Sequence, residues 1–274
     1  SASKNKYGSE ALKSSQDLAL ADLASQITVK ITSDIVTTLI EKGTITRDEY
    51  LATARSEAVA DLEGHELVDT WQDANYHYAY YRLSKAKYAA IQARKRKSAL
   101  ALSTDFLTKA KAAGEISQFS DSFNATIQAF IPLLPYLNEA LEVEFEGRQV
   151  ILSNEVNTQL QALLSGITLD PSHSNVSAKL GQPIAEKLTV FARGHNTQAL
   201  RGLPLKVHFT KGAGELLESI RTGNQGRATV QVTSITAPLK LQIIEISVDV
   251  EQLLKNIESP ILIGIIRSIP PTST

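Results

Sequence analysis

Four carboxylates lie close together in the sequence and are candidates for acid–base chemistry: Asp61, Glu63, Glu66 and Asp69. Paired carboxylates act as general acid and base when burial raises the pKa of one of them. Here they surround the start of a predicted strand, with no glycine-rich loop or nucleophile motif beside them. The pattern therefore favours a solvated strand edge, where charges also discourage pairing with another chain.

The sequence gives little support for metal or phosphate sites. It has no cysteine, and none of its five histidines (65, 77, 173, 195 and 208) has metal-ligand spacing. Gly212-Ala-Gly214 lacks the Gly-Lys-Ser/Thr that completes a phosphate loop, so a turn between strands is predicted there. We expect no catalytic residue, no cofactor and no metal, and we expect that the protein is not an enzyme.

The sharpest charge run is Arg94, Lys95, Arg96 and Lys97, within a predicted helix that carries further lysines. Such a helix could contact anionic lipid headgroups, a polysaccharide or an acidic protein. Nucleic acid is not an expected partner, because the formal net charge is only -1. The alternative is a solvated helix face without a partner, and this interpretation is favoured.

Three tyrosines, Tyr76, Tyr78 and Tyr80, alternate along a predicted strand and therefore share one face of it. If exposed, they would form an aromatic ladder for a carbohydrate or protein partner. If buried, they would lie under the flanking helices. The buried interpretation is favoured, because one face of a hairpin must be covered for the hairpin to be stable.

Hydrophobic spacing predicts the elements that position these residues. Residues 9–27 fit an amphipathic helix, residues 27–39 fit a strand, and Thr46 with Glu49 fits a capping box that begins a helix to about residue 60. Residues 62–71 and 76–83 predict a hairpin with a turn at 72–75. Ser84 is predicted to cap a helix of roughly 30 residues, about 45 Å long.

Farther along, Pro132 and Pro135 must interrupt the helix predicted over residues 115–142. The apolar run 130–137 (FIPLLPYL) is core or a subunit interface, with core favoured. A short hairpin is predicted over residues 143–152, then a helix to Leu164 with Ser153 as its cap. Residues 187–192, 205–210, 227–233 and 239–250 predict strands, separated by turns about every 8–12 residues, as in a β-sandwich. Residues 254–274 are expected to be only partly ordered, with the apolar 261–266 contacting another chain or domain.

Two absences bear on the cellular compartment. The chain has neither methionine nor cysteine, and it begins with the small polar run SASKNKYG. This pattern predicts a start just behind a removed signal or a lipidated cysteine. No apolar run reaches the roughly 18 residues of a membrane-spanning helix, so the chain is not expected to span a bilayer.

The first part of the chain resembles a family of bacterial outer-membrane lipoproteins. Residues 18–31 (LALADLASQITVKI) and 80–88 (YYRLSKAKY), together with the hairpin between them, carry the resemblance. They are similar to the "LPP" outer-membrane lipoprotein family, of the twenty-kilodalton antigen type, over roughly residues 8–100. The resemblance implies a secreted, lipid-anchored envelope protein without enzymatic activity, although the lipidated cysteine of the family is absent from this sequence.

A second resemblance covers about residues 170–250. Residues 203–215 (LPLKVHFTKGAGE) and 221–232 (RTGNQGRATVQV) are similar to bacterial Ig-like modules of the invasin type. In such modules the glycine-rich part turns between strands, and the part matching residues 222–226 is a hairpin. The resemblance implies a spacer or adhesive unit on the cell surface.

The sequence thus predicts an α+β protein with an N-terminal α/β layer domain that carries a long helix (1–113), a helical or small α/β extension (114–166), a C-terminal Ig-like antiparallel β-sandwich (167–253) and a tail (254–274). The expected function is a structural or assembly subunit of a surface or secretion complex in the bacterial cell envelope, at the outer membrane, in the periplasm or on the cell surface. The expected partners are other envelope proteins or further copies of this chain, with peripheral membrane association through a lost N-terminal lipid. The alternative function is a surface module that binds a glycan or another ligand. The predicted interaction surface comprises Arg94, Lys95, Arg96, Lys97, Tyr76, Tyr78 and Tyr80.

Overall fold

The computed structural model describes residues 1–25, 37, 40, 41, 43, 46–49, 63–137, 139–195 and 197–269. Its elements combine helices with antiparallel sheets, which confirms the α+β class in its broad sense. The chain forms two compact units. The first comprises Ser1–Ala101 and Leu133–Leu141, and the second comprises Leu102–Pro132 and Glu142–Thr274. The finer domain boundaries drawn from the sequence stay predictions.

The first unit contains a three-stranded antiparallel sheet and the helices that flank it in sequence. Its elements are β1 (Ala2–Ser3), α1 (Lys4–Tyr7), a 3-10 turn (Gly8–Glu10), α2 (Ala11–Ser25), β2 (Glu66–Gln72), β3 (Tyr76–Arg82) and the start of α3 (Lys85–Glu115). The strand order is β1-β3-β2, so β3 is the central strand. The predicted hairpin is confirmed.

Helix α2 confirms the helix predicted over residues 9–27. Ala11, Ser15 and Ala24 are buried along it, and helix α2 contacts β3. Small side chains allow such a close approach between a helix and a strand. The strand predicted over residues 27–39 lies outside the described residues except for Thr37, which is helical.

Local capping signals in the sequence are largely confirmed. The Thr46 N–H donates to Glu49 Oε2 at 2.7 Å, and the Glu49 N–H donates to Thr46 Oγ1 at 3.2 Å, which is the predicted capping box. The bonds that the Thr46 N–H and the Thr46 hydroxyl donate to Glu49 Oε2 lower the pKa of the Glu49 carboxyl. The rest of the helix predicted to residue 60 lies outside the described residues.

Helix α3 has 31 residues and is therefore about 46 Å long, as predicted. Ser84 caps it. Its hydroxyl oxygen accepts from the Lys87 N–H at 3.4 Å, and its carbonyl oxygen accepts from the Tyr88 N–H at 2.8 Å. The hairpin therefore passes into α3 through a single capping residue.

The helical part of the second unit follows the predicted order. Its elements are the end of α3, α4 (Phe119–Phe130), β4 (Glu142–Phe145), β5 (Arg148–Ile151) and α5 (Leu152–Ser165). Pro132 and Pro135 fall at a 3-10 turn, Ile131–Tyr136, where the α-helix ends. The Ser122 hydroxyl on α4 donates to the Ala110 carbonyl oxygen on α3 at 2.7 Å, a buried bond that joins the two helices.

The prediction that Ser153 caps α5 is wrong. The helix begins at Leu152, directly after β5, and the preceding Ile151 makes no side-chain capping bond. Ser153 therefore lies inside the first turn, where it is 8% exposed.

The other described residues of the second unit are mainly β-structure, and their strands form three antiparallel sheets. The strands are β6 (Thr168–Pro171), β7 (Leu188–Arg193), β8 (Pro204–Lys211), β9 (Gly214–Leu216), β10 (Ser219–Arg221), β11 (Arg227–Val230), β12 (Val232–Ile235) and β13 (Ile243–Val248). The sheets have the orders β10-β8-β13, β11-β7-β6 and β12-β9. Alternate residues of the two central strands are fully buried, Leu205 and Val207 on β8 and Val190 and Ala192 on β7.

Two β predictions are corrected. Residues 227–233 form two strands instead of one, because β11 pairs with β7 whereas β12 pairs with β9. Residues 222–226 do not form a hairpin, because β10 on one side pairs with β8 and β11 on the other side pairs with β7. This segment carries the chain from one sheet to another.

Regular structure continues into the predicted tail within the described residues up to 269. Helices α6 (Val250–Leu254) and α7 (Pro260–Arg267) follow β13, and the Ser259 hydroxyl caps α7 by accepting from the Leu262 N–H at 3.4 Å. The apolar side chains that were expected to contact another chain or domain are covered within this chain; they are Ile261, Leu262, Ile265 and Ile266. Within the described ranges, every helix is too short or too polar to cross a bilayer.

Candidate interaction surface

Strand pairing in the hairpin brings the only tryptophan of the chain to the tyrosine stripe. Trp71 on β2 is the register partner of Tyr78 on β3. Directly opposed residues of an antiparallel pair lie on the same face of the sheet, and so do residues two positions apart. Trp71 therefore shares a face with Tyr76, Tyr78 and Tyr80, and we call these four residues the aromatic face.

The aromatic face is exposed. Trp71 is 51% exposed, Tyr76 42% and Tyr80 51%, and Tyr78 is half-buried. The rings of Trp71 and Tyr78 stack, with centroids 5.3 Å apart and an angle of 4° between the planes. The favoured prediction that flanking helices bury the three tyrosines is therefore wrong.

The opposite face of β3 is the covered one. His77, Ala79 and Tyr81 on that face are all half-buried, and β3 contacts α2. The ring of His65 also packs edge-on against Tyr81, with centroids 5.4 Å apart. This partial burial is confined to β3, because every residue of β2 is exposed.

Asp73 fixes the turn next to the aromatic face. Its Oδ1 accepts from the N–H groups of Asn75 at 2.8 Å and Tyr76 at 2.7 Å, and its Oδ2 accepts from the Tyr78 hydroxyl at 2.8 Å. The bond from Asn75, followed by those from Tyr78 and Tyr76, lowers the pKa of the Asp73 carboxyl. The bond to Asp73 in turn raises the pKa of the Tyr78 hydroxyl. One carboxylate thus orients both the turn and a ring of the aromatic face.

Acidification is expected to loosen this turn. Because the folded pKa of Asp73 lies below the unfolded value of about 3.9, its stabilising effect is present above about pH 4 and is lost as the pH falls through the folded value. NMR of the Asn75 and Tyr76 amide protons between about pH 7 and about pH 2 should show this step. Asp73→Asn should remove the step, and an Asn variant with an unchanged step would contradict the assignment.

The basic run on α3 is less free to bind a partner than its sequence suggests, because three of its cations form ion pairs within the chain. Arg94 Nη2 lies 3.2 Å from Glu63 Oε1, and Lys95 Nζ lies 3.1 Å from Glu63 Oε2. The hydrogen bond from Lys95 is the largest cause that lowers the pKa of the Glu63 carboxyl. Two of the four cations therefore share one carboxylate of the same unit.

Arg96 is held by a bidentate pair. Its Nε and Nη2 donate to the two carboxylate oxygens of Glu139 at 2.6 and 2.7 Å, and its guanidinium lies 5.9 Å from the centre of the Tyr136 ring. The bonds to Glu139 raise the pKa of the Arg96 guanidinium. Lys97 is exposed, and it is the one of the four predicted cations that makes no ion pair within the described ranges.

Two members of the carboxylate cluster, Glu63 and Glu66, form ion pairs with cations of α3. Glu66 lies 3.1 Å from Arg82 and 3.2 Å from Lys87, and these two partners, Arg82 first, lower the pKa of its carboxyl. A carboxyl that acts as a general acid near neutral pH needs a raised pKa, whereas the pKa values of Glu63 and Glu66 are lowered. Asp61 lies outside the described residues. The favoured solvated-edge interpretation agrees with this arrangement.

The described part of the chain contains no group of three His, Cys, Asp or Glu side chains that could hold a metal ion. Gly212-Ala-Gly214 forms the predicted turn, between β8 and β9. The Gln242 side chain occupies it, because the Ala213 N–H donates to Gln242 Oε1 at 3.1 Å. A phosphate would have to displace this amide.

Sequence reasoning missed two residues of the site, Trp71 and Asp73. A signal for both was present, since a turn at residues 72–75 already sets Trp71 across from the stripe. An aspartate that begins a turn is also a frequent acceptor for backbone N–H groups two and three positions on.

Comparison of the chain with protein-family models, with curated proteins and with solved structures found no match. The resemblances to the lipoprotein family and to the Ig-like modules therefore stay predictions.

Proposed function

We propose that this chain is a non-enzymatic structural or assembly subunit of the bacterial cell envelope, and that its aromatic face binds a protein partner. The exposure of Trp71, Tyr76 and Tyr80 beside a turn fixed by Asp73 supports the proposal. Tyrosine and tryptophan are enriched in protein interfaces, and contiguous exposed apolar side chains mark binding surfaces.

The orientation of the rings favours a protein partner over a glycan. Trp71 and Tyr78 each use one ring face in their mutual stack, and the Tyr76 ring is inclined by 49° to Tyr78. A flat sugar chain would need a row of coplanar ring faces, which these residues do not form. Rings that stand at different angles instead fit between the side chains of a protein.

The charge next to the rings indicates the chemistry of the partner. Asp69 is the register partner of Tyr80, is exposed and makes no ion pair with other described residues. A guanidinium can stack on an aromatic ring and bind a neighbouring carboxylate at the same time. We therefore propose that the partner presents arginine or lysine beside aliphatic side chains.

The location and the second unit belong to the same proposal. The resemblance of residues 8–100 to outer-membrane lipoproteins supports a place at the outer membrane, in the periplasm or on the cell surface, with peripheral association with the membrane. An Ig-like antiparallel β-sandwich is proposed for the strands of the second unit. It is supported by the two three-stranded sheets and by the passage of residues 222–226 between them.

Trp71→Ala is expected to weaken partner binding about tenfold, because a half-exposed tryptophan at the centre of the face would become buried in the complex. A photo-crosslinking residue at position 80 would identify the partner in envelope fractions. The purified partner would then be titrated against the chain. Trp71 is the only tryptophan, so its fluorescence reports directly on the aromatic face.

Leu217→Ala serves as the control variant, since Leu217 is 52% exposed and lies in the second unit. It should leave binding unchanged. The proposal is wrong if a crosslinker at position 80 traps no more protein than one at position 217. It is also wrong if polysaccharides shift the Trp71 emission and crosslinked proteins do not. A crosslink between two copies would make the protein its own partner.

A further inference from the structure

The second unit contains a cleft of about 690 Å³ that plays no part in the proposed function of the first unit. Side chains from two different sheets line it. Leu188 and Val230 come from the sheet β11-β7-β6, and Phe209 and Ile244 come from the sheet β10-β8-β13. A cleft of roughly 300–1,000 Å³ with mainly apolar walls is typical of a small-molecule site.

Large aliphatic side chains remain exposed around this cleft. Leu180 is 59% exposed, Leu239 48%, Leu241 57% and Ile243 46%, and all four belong to its lining. Covering these side chains with an apolar ligand would be favourable, in proportion to the area removed from water. The exposed rim therefore indicates a ligand with a substantial hydrocarbon part.

Hydrogen bonds hold the segments that form the cleft. The Gly181 N–H donates to the Ile235 carbonyl oxygen at 2.8 Å, and the Ile184 N–H donates to the Val232 carbonyl oxygen at 3.2 Å. The Gln242 side-chain amide donates to the Ala237 carbonyl oxygen at 2.8 Å. Both sides of the rim are thus tied to ordered strands or loops, so the cleft is formed before any ligand arrives.

The described lining carries a positive charge and no negative charge. It includes Lys240 and, among the described residues, no aspartate or glutamate. Lys240 is exposed and has no ion pair among the residues that the structure describes. A negatively charged group on the ligand would therefore find a cation at the rim and no repelling carboxylate in the lining.

We infer that this cleft binds a single-chain anionic amphiphile of the fatty-acid type. The hydrocarbon chain lies against Leu188, Phe209 and Ile244, and the anionic group lies beside Lys240. Such a chain is available both as a free fatty acid and as part of an anionic lipid. A membrane surface would be a different occupant, and the experiment below separates it from a single-chain ligand.

The test is a calorimetric titration of the purified chain with laurate, at laurate concentrations below the critical micelle concentration. Binding should be saturable with one site, and affinity should rise about fourfold for each CH₂ group between decanoate and myristate until the cleft is full. Dodecanol should bind more weakly than laurate, and dodecyltrimethylammonium should bind least. Adsorption to phosphatidylglycerol vesicles without saturable laurate binding would overturn the inference in favour of a membrane surface.

Two variants locate the site. Ala178→Trp places an indole in the cleft and should weaken laurate binding about tenfold or more. Lys240→Gln should weaken laurate binding roughly threefold to fivefold and leave dodecanol binding unchanged. Lys255→Gln, an exposed lysine outside the lining, is the matched control. Equal loss in the Lys255→Gln and Lys240→Gln variants, or unchanged binding in a folded Ala178→Trp variant, would overturn the inference.

Discussion

Phe130→Ala should lower the free energy of unfolding by about 3–5 kcal/mol, as expected for a large aromatic side chain removed from a core. Phe130 is 0% exposed at the end of α4, a helix whose other buried aromatics include Phe119 and Phe123. Removal of the ring leaves a cavity that rigid neighbouring elements can close only in part. Urea unfolding followed by far-ultraviolet circular dichroism measures the loss.

The adjacent residue provides the control for this prediction. Ile131 is 46% exposed, so Ile131→Ala should cost less than about 1 kcal/mol. The pair of variants tests the core interpretation of residues 130–137, in which Leu133 and Leu137 are also 1% exposed. A small loss for Phe130→Ala together with a change in oligomeric state would instead make this run a subunit interface.

The parts of the fold that the sequence predicted correctly depend on short-range bonds. The capping box joins Thr46 to Glu49, and Ser84 accepts from Lys87, in both cases over three positions. Likewise, the hairpin turn is set by the bonds from Asn75 and Tyr76 to Asp73. Such bonds form wherever the chain can adopt the local conformation, so a few residue types suffice to predict them.

The wrong strand predictions depend on partners far along the chain. Residues 227–233 have one continuous alternating pattern, but its two halves pair with β7 and β9 respectively. The alternation of apolar and polar residues predicts a strand, but it does not determine which strand pairs with it. The prediction of a hairpin at residues 222–226 was wrong for the same reason. Strands β10 and β11 do not pair with each other, because β10 pairs with β8 and β11 pairs with β7.

The interaction surface shows how far sequence alone reaches for a site. Both faces of β3 carry aromatic side chains, so the pattern could not decide which face α2 would cover. The cations of α3 looked free because their partners are distant, with Arg96 and Glu139 separated by 43 positions. The basic run was predicted to be solvated, but three of its four cations form ion pairs. The tyrosines were predicted to be buried, but Tyr76 and Tyr80 are exposed.

The sequence of the apolar C-terminal segment contains a signal for the start of a helix. Ser259 followed by Pro260 is a typical start of a helix, with a capping hydroxyl and a proline at the first position. The apolar residues that follow then recur at helical spacing and are buried. Chain ends are often disordered, but here local capping and burial both favour order.

Thr222→Val should lower the free energy of unfolding by about 2–3 kcal/mol, although valine has nearly the same shape as threonine. Thr222 is 3% exposed and begins the segment that passes between two sheets. Its hydroxyl donates to the Leu200 carbonyl oxygen and accepts from the Leu203 N–H at 2.9 Å. Valine would leave both backbone groups buried without these partners.

Thr222→Ser separates the hydrogen bonds from the packing. Serine keeps the hydroxyl and loses one methyl group, which should cost about 1 kcal/mol. The expected order of stability is therefore threonine, then serine, then valine, whereas burial of apolar area alone would place valine above serine. Urea unfolding of the three proteins decides between these orders. A valine variant at least as stable as the serine variant would show that packing, and not the two bonds to Thr222, holds the passage between the sheets.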